Sequence, residues 1–369
     1  MKWSRALLCC IVTLGLSHLL SAAARAQASG AATDPDTLTI VVNDRSLPGI
    51  VVVTTGGTIA EKADKSGGAV PAVSGQALVA AVPELKQVAN LGVYAFSNID
   101  SSQMTPEMWA RLSRTVDRIL ARPDVTGVVV THGTDTMAEG SFFLDVTLLS
   151  DKPVVFTGAM NDASSLDPDG PANIYHAVVQ AGSPDATGWG VTVSLNRYIN
   201  SARAVRKTQT TNVQTFKSGE RGYLGYIFGG KVQRLRDRID RVRVPLTDSL
   251  PRVDFIATYA GDDGSLVRHA VDSGARGLVV EGVGAGNVNA DVFEAIEYAL
   301  SRDIPVVITT RVYYGAVEPI YGDLGGGATL QKSGAILAGD LDGPKARLLL
   351  MLGLARYGND PQRLTELFR

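Results

Sequence analysis

Short runs of apolar, mostly β-branched residues alternate along this chain with stretches whose apolar positions recur at helical spacing. The runs at 50–54, 127–131, 153–157 and 191–195 are apolar at successive positions, the pattern of strands covered on both faces. Thr105-Pro106 opens a helix, with threonine as its cap and proline at its first position. Met108, Leu112, Val116, Ile119 and Leu120 then fall on one face of it. The same rhythm resumes after Pro251, with strands at 255–258, 277–280 and 305–309 and helices at 265–273, 290–302 and 344–357. The last helix is apolar nearly all round (Leu348 to Leu352), so it is expected to be buried.

Strand-helix alternation over 369 residues predicts an α/β protein of two domains. The larger, N-terminal domain should hold a mostly parallel sheet flanked by helices, and the smaller C-terminal domain is also α/β. The boundaries read as an arm at 27–48, a catalytic domain at 49–230, a linker at 231–252 and a second domain at 253–369. The arm contains one candidate edge strand. The linker is assigned because it is Arg-rich with few apolar anchors; an exposed strand and loop inside one domain is the other reading. Sheets of this kind bind ligands beyond the carboxyl ends of their strands.

The first residues form an address. Lys2 and Arg5 precede an uncharged, mostly apolar stretch at 6–20, and Ala24-Arg25-Ala26 fits a cleavage site. A secretory signal peptide at 1–26 is expected, with export to the periplasm or beyond. A membrane anchor is the rival reading, but the stretch contains Gly15, Ser17 and His18 and is short for a span of about 20 residues. Cys9 lacks the small residues before it that a lipoprotein would carry. Removing 26 residues leaves 343, takes three basic groups and no acid, and moves the formal charge from −2 to −5. Both cysteines leave too, and His132, His176 and His269 remain. Disulfide, thiol and Cys/His zinc chemistry are thereby excluded for the mature chain. No long run of one charge suggests nucleic acid, and no second long apolar run suggests a stable membrane anchor.

Three loops carry candidate chemistry. Thr54-Thr55-Gly56-Gly57-Thr58-Ile59-Ala60 follows the first strand; its glycines expose backbone N–H groups beside a hydroxyl nucleophile, or form an ordinary turn. Thr131-His132-Gly133-Thr134-Asp135-Thr136-Met137 follows another, where Thr134 or Asp135 is either a helix cap or part of a site. Lys207 is a solvated charge unless it folds back onto Thr134.

With these segments in this order, the chain resembles the bacterial L-asparaginase family, nearest its exported type II asparaginase and glutaminase-asparaginase branch. The resemblance runs from about residue 50 to the C-terminus and includes Val82-Pro83-Glu84-Leu85, Gly158-Ala159-Met160, Asp169-Gly170-Pro171 and Gly282 to Asn287. It implies hydrolysis of an amino-acid amide without metal or cofactor. It implies Thr58 as nucleophile, and Thr134, Asp135 and Lys207 as a second group that activates the nucleophile or the water. Gly57 and Thr134 would contact the oxyanion, Ser101 the substrate's α-carboxylate and Asp135 its ammonium. Asn287 would come from a neighbouring subunit of a homotetramer.

The chain departs from that pattern in three places. The lid tyrosine position falls on Gly68, and no tyrosine lies between Thr58 and Val82. Either Tyr313 or Tyr314 replaces it, over a lid at 61–71 hinged at Gly67-Gly68, or Thr58 depends more on Lys207 and Thr134. Ser102 stands where a substrate-contacting glutamine is usual. The intersubunit glutamate position falls on Gly322, leaving Glu318 and Asp323 as neighbours, with Glu318 preferred. The absent tyrosine motivates one rival function, a catalytically inactive amino-acid-binding protein on the same scaffold. A tRNA-dependent amidotransferase subunit shares these motifs but lacks a signal peptide.

Overall fold

A computed structural model describes residues 38–63, 69–71, 74–239 and 241–369. The expected signal peptide at 1–26 and the expected hinge at Gly67-Gly68 lie outside the described residues.

The first domain is built on a nine-stranded sheet. Its order is Thr39–Val42, Asn90–Ala95, Gly49–Thr54, Gly127–Thr131, Val154–Thr157, Val191–Leu195, Tyr198–Ser201, Gly225–Phe228 and Lys231–Arg234. The five strands from Asn90–Ala95 to Val191–Leu195 run parallel. Thr39–Val42 is an antiparallel edge, and the last three strands are an antiparallel meander. The sheet is therefore mixed: tight turns at 196–197 and 229–230 return the chain antiparallel at its far side, where helical crossovers would have kept it parallel.

The predicted linker from Lys231 needs correcting at its start. Lys231–Arg234 pairs with Gly225–Phe228 and completes the sheet, so the connection begins at Leu235. Nor is the Arg-rich stretch unanchored. Arg238 grips the buried Asp145 carboxylate with two bonds of 2.9 Å. Arg241 donates to the carbonyls of Asp145 (2.5 Å) and Leu148 (2.9 Å). Arginine forks anchor the stretch together with Val244, which is fully buried, and Val242, Leu246 and Leu250, which pack against the core.

Helices cover the sheet. Pro106–Leu120 starts as expected, with the Thr105 hydroxyl accepting from Met108 N at 3.3 Å. Its Leu112, Val116, Ile119 and Leu120 are fully buried, while Met108 is only partly so. The second sheet is parallel throughout, in the order Val253–Ala257, Gly277–Gly282, Val306–Thr310 and Ile336–Leu337.

Helix Gly343–Tyr357 joins the two units. It packs on the second sheet and also against helix Met137–Thr147 of the first domain. Leu348, Leu349, Leu350, Met351 and Leu352 are all buried, in one apolar cluster that runs from Val130 through Phe142 to Val279 and Val307. An apolar surface on every side suits a helix with protein on every side.

Among the described residues, no helix is long and apolar enough to cross a membrane.

Candidate active site

The chain passes from Gly49–Thr54 to Asn90–Ala95 on one side of it, then to Gly127–Thr131 on the other. That reversal of strand order opens a crevice at the carboxyl ends of three parallel strands. The loops leaving those strands contain Thr58, Ser101 and Thr134.

Close backbone approach holds the loops together. Thr55 N and Oγ1 both donate to the Thr131 carbonyl, at 3.1 and 2.9 Å. Gly57 has φ +81° and lies against the Gly133 backbone so tightly that a Cβ there would collide with it. Only glycine accepts both conditions. A Cβ on Gly133 would in turn stand 2.6 Å from Ser101 Oγ. Gly57 and Gly133 each immediately precede a threonine, so Thr58 and Thr134 flank one contact. Thr58 begins a 3₁₀ turn, Thr58–Ala60, and is half-buried, with Ile59 and Ala60 packed beneath.

Lys207 does fold back. Its Nζ donates to Thr134 Oγ1 at 3.0 Å and to Asp135 Oδ1 at 2.7 Å. Thr134 is buried, whereas the Asp135 side chain is 60% exposed. The helix-cap reading fails for both, because the cap of Met137–Thr147 is Thr136. The Thr136 hydroxyl donates instead to the Ser101 carbonyl at 2.8 Å, tying the second loop to the third. An open pocket of about 620 Å³ is lined by Asp135, Lys207, Thr208, Gln209 and Thr210.

Ser101 and Ser102 part company. Asp100 caps a short turn by accepting from Ser102 N at 3.0 Å. Ser101 is buried against Gly133, while Ser102 faces solvent.

His132 sits under the threonine loop. It is fully buried, and Nδ1–H donates to the Gly133 carbonyl at 2.7 Å. Its Nε2 accepts from the Trp109 indole at 3.4 Å. Those two partners fix the neutral tautomer, and burial pushes the ring's pKa down to about 4. The sequence pattern assigned His132 no part; a buried imidazole has no periodic signature.

Tyr313 and Tyr314, the candidate replacements for the lid tyrosine, line a cavity between the domains. Successive side chains of the two-residue strand Arg206–Lys207 point to opposite faces. The Arg206 guanidinium lies 5.0 Å from the Tyr313 ring centre, in an interdomain cavity of about 310 Å³ that both tyrosines line. They stand with Arg206.

Asn287 and Glu318 form a separate cluster beyond strand Gly277–Gly282. Asn287 Oδ1 accepts from Gly327 N at 3.2 Å, and Glu318 N donates to the Ala285 carbonyl at 3.1 Å. Asp323 belongs to the same loops, its carbonyl accepting from Gly326 N at 3.0 Å. Among the described residues, no hydrogen bond or ion pair links this cluster to Thr134, Asp135 and Lys207. Nor does any group of three His, Cys, Asp or Glu among them suit a metal ion.

Comparison with known proteins meets this geometry from the other side. Residues 49–240 match the family model described as Asparaginase, N-terminal, and residues 252–368 the one described as Glutaminase/Asparaginase C-terminal domain. L-asparaginase 2 of Escherichia coli is 39% identical over 332 residues, 88% of this chain and 93% of that protein. L-asparaginase 2 of Bacillus subtilis is 37% identical over 88% of this chain and 87% of its own length. A probable periplasmic L-asparaginase of Haemophilus influenzae is 37% identical over 89% and 94%. The crystal structure of a probable cytoplasmic L-asparaginase from Campylobacter jejuni superposes with a TM-score of 0.79 at 37% identity, covering 87% of this chain and 99% of that one. Two matched domains spanning most of the chain, and relatives of this identity over nearly their full lengths, establish that this chain belongs to the asparaginase family of amidohydrolases.

Proposed function

We propose that this protein hydrolyses the side-chain amide of L-asparagine, and to some extent L-glutamine, to the acid and ammonia through a threonine nucleophile. One observation carries the reading: Lys207 bonds Thr134 and Asp135 on the loop whose Gly133 touches Gly57, next to Thr58.

The chemistry is set by hydrogen-bond direction. Thr134 Oγ1 accepts from Lys207 Nζ, so its own proton is free to be donated. Thr58 Oγ attacks the amide carbon, and its proton reaches the leaving nitrogen through the Thr134 hydroxyl. Ammonia departs and an acyl ester remains on Thr58. Water then attacks the ester carbon, one of its protons returns to Thr58 Oγ, and the acid is released. Backbone N–H groups around Gly57 stabilise the oxyanion in both steps. Ser101 takes the α-carboxylate, and the exposed side of Asp135 takes the α-ammonium.

Asn287 and Glu318 complete the site from a neighbouring copy in a homotetramer. Their separation from Thr134, Asp135 and Lys207 within one chain supports that arrangement. Residues 1–26 act as a signal peptide, and the mature protein works in the periplasm or outside the cell.

Ammonia release from both amides tests the reaction on the mature protein. Thr58→Ala and Lys207→Met should each lose several orders of magnitude in kcat while keeping their fold. Near-normal turnover by Thr58→Ala would refute the nucleophile.

A further inference from the structure

The helix that joins the two domains carries one charged group that the reaction above does not use. Lys345 lies in the first turn of Gly343–Tyr357 and is only 1% exposed. Its Nζ donates to the Arg203 carbonyl at 3.0 Å and to the Val205 carbonyl. It also lies 3.6 Å from Asp342 Oδ2. Asp342 caps the same helix, accepting from Lys345 N at 3.0 Å, and pairs with Arg206 Nε at 3.2 Å.

Taking an ammonium out of water is costly unless acceptors surround it, and burial pushes this one down to about 8. The charged groups facing it are Asp342 at its own helix cap, Arg203 and Arg206 on the segment it holds, and Glu139 on helix Met137–Thr147. A lysine fits here because three flexible donors can meet main-chain carbonyls on two residues at once.

The held segment is the backbone that delivers Lys207 to the site. Arg203 and Val205 lead directly into Arg206–Lys207. Arg206 turns toward Asp342, and its neighbour Lys207 turns the other way, to Thr134 and Asp135. A second tie, Arg203 to Asp340 at 2.8 Å, fastens the same segment to the second domain. The lysine that meets Thr134 thus projects from backbone anchored by the other domain of its own chain.

We propose that Lys345 is a positioning residue: through the Arg203 and Val205 carbonyls it sets the place of the Lys207 ammonium against Thr134 and Asp135. The proposal rests on Lys207 acting in the reaction. It gives the second domain a part in catalysis within its own chain.

Three variants test it: Lys345→Met, Asp342→Asn and Lys207→Met, with the double variant Lys345→Met/Lys207→Met. Asp342→Asn keeps an oxygen for the helix cap and removes only the charge shared by Arg206 and Lys345, so it covers the case in which Lys345→Met fails to fold. In Lys345→Met, kcat should fall on the order of 10- to 100-fold, the cost of a small misplacement, with KM changed by less than about twofold. Asp342→Asn should move kcat in the same direction by a smaller factor. In the Lys207→Met background, adding Lys345→Met should change kcat by less than about twofold, because the group it positions is gone. An undiminished loss in that background, or a rise in KM matching the fall in kcat, would overturn the proposal. With Asp342→Asn alone available, unchanged kcat would overturn it. Full activity in Lys207→Met would instead remove the reading on which it rests.

Discussion

Acidification should weaken this protein through His132. The ring is fully buried with both nitrogens engaged, and burial holds its pKa at about 4 against an ordinary 6.5. The unfolded chain takes up a proton near pH 6.5, while the folded chain resists until about pH 4. Below pH 6.5 the unfolded state therefore binds more protons, and stability falls as pH falls. The contribution is fully present above pH 6.5 and is lost toward pH 4. From that difference in pKa, His132 alone removes about 2 kcal/mol by about pH 5 and about 3 kcal/mol by about pH 4. His176 acts in the same direction, since burial pushes it down to about 4 as well, with the Arg197 charge adding to the shift. Urea unfolding across this range measures the total. Proton NMR of the imidazole resonances isolates the single ring: the His132 signal should stay at its neutral position until about pH 4. A His132 signal that titrates near pH 6.5 in the folded protein would refute the argument.

Other substitutions probe the joints of the site. Gly57→Ala places a Cβ into the Gly133 backbone at φ +81°, so it should cost about 2 kcal/mol or more and most of the activity, read by thermal unfolding and ammonia release. Asp145→Ala strips a buried acceptor from Arg238 and Arg241. Leaving those guanidinium groups without their partner should cost about 3–5 kcal/mol in denaturant unfolding, and a cost near zero would return the Arg-rich segment to the status of a loose linker. Ser101→Ala should raise KM more than it lowers kcat if Ser101 holds the α-carboxylate, whereas the exposed Ser102→Ala should leave stability within about 0.5 kcal/mol.

Local pattern determined most of the elements. Consecutive β-branched residues can hardly be satisfied except in a doubly covered strand, and Thr105-Pro106 has one good use, the start of a helix. The all-round apolar helix at the C-terminal end likewise had to be buried. The threonine motifs and their resemblance named the family and the candidate residues before any contact was known. Three things awaited the tertiary structure. The antiparallel meander and the true start of the interdomain connection depend on pairing between distant segments, which periodicity does not encode. Lys207 could have been a solvated charge; its bonds to Thr134 and Asp135, over 70 residues away in sequence, are tertiary contacts that no local pattern encodes. The anchoring of that lysine's backbone by Lys345 is more remote still. A lone lysine in an apolar helix reads as an exception, and only packing between two domains decides which carbonyls it meets.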